Sequence, residues 1–89
     1  MLIKLVEVHS VLSNPSVREL YINSTSILSI TEETHPGTLK EAKSLGFSEI
    51  TKFSSIIIQE GSRTRTVTVA HSPQEIYKKI DPSKTLLKG

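Results

Sequence analysis

The chain contains no cysteine, so disulfide staples and thiolate metal sites are excluded. Aromatic residues are few (Tyr21, Phe47, Phe53 and Tyr77), and isoleucine, leucine and valine must therefore supply the core. No apolar run approaches the ~18 residues that cross a bilayer as a helix. The opening Leu2-Ile3-Lys4-Leu5-Val6-Glu7-Val8 carries charges in its middle and has no small-residue cleavage pattern, so a strand is expected there in place of a signal peptide. A soluble, cytoplasmic chain with no membrane association is the expectation. Strong charge is missing too: the formal net charge is +2, and eight of the eleven cationic residues are lysines spread along the chain. That is ordinary solubility and lacks the basic stripe of a dedicated DNA binder. There is no G-x-S-x-G element and no acid–base pair in a Gly-rich frame, so no enzyme, no catalytic residue and no cofactor is expected.

At 89 residues one domain buries only about 60–65% of its unfolded surface. Chains of this size usually need a staple, and without cysteine the remaining one is oligomerisation. A homo-oligomer is expected.

The most informative stretch is Ser54–Ile80. Ile56, Ile57 and Ile58 are consecutive and β-branched, as in a strand covered on both faces. Gln59-Glu60-Gly61-Ser62-Arg63 reverses the chain around a glycine free to take positive φ. Thr64 to Ala70 alternates, with Val67 and Val69 on one face and Thr64, Thr66, Thr68 and Ala70 on the other. Ser72-Pro73-Gln74-Glu75 is an S-x-x-E capping box with proline at the first helical position. Ile76 and Ile80, with Tyr77 beside them, form a narrow apolar stripe that the preceding sheet can cover.

Upstream, Leu2–His9 reads as a first strand, apolar on both faces: Leu2, Val6 and Val8 on one, Ile3 and Leu5 on the other. It is central, or becomes so on dimerisation. Ser13-Asn14-Pro15-Ser16 reads as a turn, leading into a second strand at Arg18-Glu19-Leu20-Tyr21-Ile22. Asn23-Ser24-Thr25-Ser26 breaks that strand through an Asx turn. Ile27–Glu32 is a third strand with Leu28 and Ile30 inward, or Ile27 if both faces are covered. His35-Pro36-Gly37 is a breaker, after which Thr38 caps a short helix Leu39–Leu45 stopped by Gly46. Residues 33–53 are read as a helical or loop insertion, partly mobile, in a single domain 1–82. Asp81-Pro82 ends the last helix; residues 83–89 are read as a flexible tail, from which Leu86-Leu87 could dock on a neighbour. The fold class is mainly β (α+β): a small bent antiparallel sheet or barrel of about five strands, closed by a short C-terminal helix.

These residues resemble a family. An M-L-I-K-L-V-E-V strand, an R-E-L-Y-I-N strand ending in Asn23, S-I-L-S-I-T-E, a strand-turn-strand and the S-P-Q-E-I-Y-K-K-I helix are similar to the FlbD-type small proteins of bacterial flagellar operons and to phage proteins of the same build. The resemblance covers Leu2–His9, Arg18–Glu32 and Ser54–Ile80, with the Asn14-Pro15 turn and Glu33–Phe53 as insertions. It implies no enzymatic activity. A second resemblance is to the carbon storage regulators (CsrA), RNA-binding dimers with an M-L-I-x-L first strand and a closing helix. It implies Lys4 and Ala70–His71 as RNA-contacting positions. Ser72 stands where that family has a basic residue, and the family's Gly-Asp turn after strand one is missing.

His9, His35 and His71 lack the spacing of a metal-binding motif, and no metal site is expected; His9 and His71 lie at the ends of strands that could be neighbours, which leaves a shared site open. Arg63 and Arg65 share a strand face, with Lys52 and Arg18 as possible neighbours, and could hold phosphate by charge-assisted forks. With no aromatic platform among them, stacking readout of single strands has little to use. Two functions follow. The first is a non-enzymatic homo-oligomeric interaction protein, a phage or operon accessory, that binds a protein partner. The alternative is an RNA or small-nucleotide binder using Arg63, Arg65, Arg18, Lys52 and nearby lysines.

Overall fold

A computed structural model describes residues 1–11, 14–47 and 52–80. The order is β1 (Leu2–Val11), β2 (Asn14–Asn23), a 3-10 turn (Ser24–Ser26), β3 (Ile27–Glu32), α1 (Pro36–Ser44), β4 (Ser54–Glu60), β5 (Arg63–Val69) and α2 (Pro73–Ile80). The protein is mainly β. All pairings are antiparallel, in the spatial order β2-β1-β5-β4-β3. With β2 and β3 left as edges the sheet is open, which settles the choice between bent sheet and barrel. It is nonetheless strongly bent. Five flat strands would set the two edges about 19 Å apart, whereas the link from Asn23 to Ile27 reaches at most about 14 Å. The edges must curl toward each other at that end.

The two faces bury separate cores. On one face Ile3, Leu5, Ile22, Ile56, Ile58, Val67 and Val69 pack with Ile76 of α2, and Ile80 flanks them. On the other face Val8 and Ala70 pack with Ala42 of α1 and with Phe53, flanked by Leu39, Leu45 and Phe47. Coverage on both faces explains the apolar residues on both faces of β1, which lies inside the sheet as expected.

The capping box forms in α2: the Glu75 N–H donates to Ser72 Oγ (3.2 Å), and the Ser72 N–H donates to Glu75 Oε1 (3.1 Å). The Asx turn forms as well, with Asn23 Oδ1 accepting from the Thr25 N–H at 3.1 Å. Gly46, at φ 95°, follows the end of α1, and Gly61, at φ 62°, turns β4 into β5.

Three expectations need correction. Asn14, Pro15 and Ser16 belong to β2, with Pro15 opposite Ser10; a proline is tolerated there because β2 is an edge strand. Ser13 lies outside the described residues. In β3 the register shifts between Ile27 and Ser29. This bulge turns Ile27 toward the core together with Ile30, the residue expected there, and leaves Leu28, expected inward, 55% exposed. α1 starts at Pro36, three residues early, because His35 caps it: His35 Nδ1 accepts the Thr38 N–H at 3.4 Å. Residues 48–51 of the 33–53 segment, the Asp81-Pro82 stop and the 83–89 tail also lie outside the described residues.

Candidate functional site

The cations singled out in the sequence do not converge. Arg63 and Arg65 do share a face of β5. Arg65 Nε, however, lies 3.2 Å from Glu60 Oε1, at an angle that leaves this buried N–H without an acceptor. Arg18 is two strands away on β2, where it meets Glu7 with Nε 2.8 Å from Oε1. Lys52 precedes β4 at its Ser54 end and sits 3.8 Å from Glu32. Arg65 pairs with Ile58 toward the other end of that strand, about 20 Å along it. Among the described residues, Arg63 alone of the four is exposed without a carboxylate at ion-pair distance. Lys4, on the outward face of β1, is exposed. Ala70 is buried, with its N–H donated to the Val6 carbonyl at 2.8 Å.

The histidines serve three separate elements. His35 caps α1, and His9 Nδ1 lies 3.8 Å from Glu7. His71 joins β1 to the start of α2: its Nε2 accepts the Val6 N–H at 3.0 Å, while its carbonyl accepts Ser54 Oγ at 2.6 Å. Burial holds the His71 pKa below its ordinary value. The Glu75 carboxylate pulls the other way, and Lys79 adds to the depression. No group of three or more His, Asp or Glu among the described residues could hold a metal ion, and no described helix is long and apolar enough to cross a membrane.

A cleft of about 260 Å³ opens where β1 and β5 part. Those strands are registered only at Glu7–Val69 and Val8–Thr68. The cleft's lining includes Glu7, Val8 and His9 of β1, Thr66, Val67 and Thr68 of β5, and Thr38 and Glu41 of α1. Glu7 is buried and already engaged by Arg18. The walls are hydroxyls and carboxylates.

The larger feature is the outer edge of β2, which has no strand beside it among the described residues. Val6 directs its N–H to His71 and its carbonyl to the Ala70 N–H, both on the side away from β2. Its cross-strand partner is Glu19, which makes this a non-hydrogen-bonded pair, so the N–H and C=O of Glu19 point outward. By alternation the same holds for Val17, Tyr21 and Asn23, and for the carbonyl of Pro15, which has no N–H. The Ser24 N–H donating to the Met1 carbonyl at 2.8 Å agrees, since even-numbered positions face β1. Beside this row of backbone groups, Tyr21 is 59% exposed and Val17 45%. Leu2 on the same face of β1 is also exposed, with Lys4 and Glu19 interspersed among these apolar side chains.

The sequence missed this edge because Pro15 read as a turn. The available signal was the same proline: a strand that contains one belongs at an edge. Comparison with protein-family models, with curated proteins and with solved structures finds no match.

Proposed function

We propose that this chain is a small non-enzymatic interaction protein that works as a homo-oligomer and docks a protein partner, as an accessory of a phage or an operon. The observation that carries it is the outer edge of β2, whose outward N–H and C=O groups run beside exposed Tyr21 and Val17. Such an edge is a template for pairing with another strand. The resemblance to FlbD-type proteins fits this reading, since it implies no catalytic group. The nucleotide or RNA alternative has less to draw on, because Arg18, Lys52 and Arg65 each face a carboxylate of their own chain.

Native mass spectrometry at moderate salt and several concentrations tests the proposal. A homo-oligomer that persists as salt rises is the expected result, since backbone pairing is screened little. A monomer at every concentration overturns it, and retained nucleotide or RNA moves the case to Arg63 and Arg65.

A further inference from the structure

We infer that β2 pairs antiparallel with β2 of a second copy about a two-fold axis at Leu20, merging two five-stranded sheets into one. This rests on the proposed self-association and adds its geometry. A two-fold axis perpendicular to the sheet keeps each face continuous, so opposed residues must lie on the same face. The axis can therefore pass only through a residue position, and each choice makes a different interface.

Centring on Arg18 opposes two guanidinium groups, and centring on Glu19 opposes two carboxylates, at the spacing where like charges destabilise a sheet. Both choices, and Val17 as centre, also bring Pro15 into the ladder, where it has no N–H to give in the outward row. Centring on Tyr21 keeps Pro15 out but shortens the ladder to residues 19–23.

Leu20 as centre avoids each defect. Val17 then faces Asn23 of the other copy, and Glu19 faces Tyr21. Both are pairs whose backbone groups already point outward, which gives roughly eight new hydrogen bonds across the seam. Pro15 falls beyond the opposing strand. Within one chain the Tyr21 hydroxyl donates to Glu19 Oε2 at 2.5 Å. Across the seam the same two groups face each other again, so each carboxylate meets a phenol donor and no second anion. On the opposite face the two Leu20 side chains meet, extending the core to which each is already attached.

The absence of native cysteine makes single-cysteine variants a clean readout. Opposed Cα atoms in an antiparallel ladder are about 4.5–5.5 Å apart, within disulfide range. Under mild oxidation Leu20→Cys is expected to cross-link to itself several times more than Arg18→Cys, Glu19→Cys or Tyr21→Cys. A mixture of Glu19→Cys with Tyr21→Cys is expected to cross-link more than either alone. That exposed pair keeps the test decisive should Leu20→Cys fold poorly. Strongest self-linkage at 18, 19 or 21 overturns the register. No linkage at any of these positions, in a protein that native mass spectrometry shows to be dimeric, overturns the β2 seam and leaves self-association standing. A monomeric native mass overturns both.

Discussion

The His71 imidazole accepts the backbone N–H of Val6, with Nε2 3.0 Å from N. The bond requires an unprotonated Nε2, and burial depresses the His71 pKa accordingly. Above the ordinary histidine value of about 6.5 folded and unfolded chains are both neutral there, and no linkage arises. As pH falls through that value the unfolded chain takes up a proton that the folded chain resists, so stability declines toward lower pH. Urea denaturation at about pH 7.5 and about pH 5.5 should show the loss. His71→Ala should lower stability by about 1 kcal/mol, by removing the acceptor of a part-buried N–H, and should flatten the pH slope.

Ser72→Ala removes one half of the capping box and should cost about 1 kcal/mol. The Glu75 pKa lies below its ordinary value, chiefly through the backbone N–H of Ser72. Its contribution is therefore present above the ordinary carboxylate range and lost as pH falls below it. Denaturation of Ser72→Ala and of Glu75→Ala alongside the parent chain at neutral and acidic pH checks both statements: Ser72→Ala keeps the backbone N–H and its deficit should largely persist in acid, whereas the deficit of Glu75→Ala should narrow.

Arg18→Ala should destabilise the fold more than Arg63→Ala. The first strips a guanidinium from a Glu7 side chain that is only 4% exposed, leaving a desolvated carboxylate short of donors. The second removes an exposed charge. Urea midpoints for the two variants would contradict this account if they coincided.

Phe53→Ala should cost about 3–5 kcal/mol. Phe53 is 1% exposed, packs in the core beneath α1, and meets Phe47 edge to face at 5.9 Å. Hydrogen exchange should show α1 losing protection before β4 and β5, which keep their own core with α2.

Leu28→Ser should change stability by no more than about 0.5 kcal/mol, because the bulge leaves Leu28 outside the core. Thermal melts of Leu28→Ser and Ile30→Ser should separate widely, with Ile30→Ser the less stable.

What the sequence made legible follows from local chemistry. β3, β4 and β5, the Gly61 turn, the Gly46 stop and the Ser72 capping box each depend on neighbours in the chain. Side-chain parity placed Val67 and Val69 together and kept Arg63 and Arg65 on one face. The register between strands was not legible, because it is fixed by contacts between distant residues. For that reason Lys52 and Arg65 could be imagined as neighbours although β4 holds them at opposite ends. Leu28 escaped because a bulge inverts parity, and His35 because an imidazole is an unusual helix cap. The outer edge of β2 became visible only once Val6 was seen to bond away from Glu19.

The narrow joint between β1 and β5 also bears on the order of assembly. The β1–β2 and β4–β5 hairpins pair strands that are consecutive in the chain and cost little entropy, whereas Glu7–Val69 and Val8–Thr68 join strands far apart in the sequence. Contacts of that kind form after the local ones. The joint is therefore expected to form after the two hairpins. A change that weakens the joint alone should hasten unfolding more than it slows folding, which would make this short seam a determinant of how long the native state lasts.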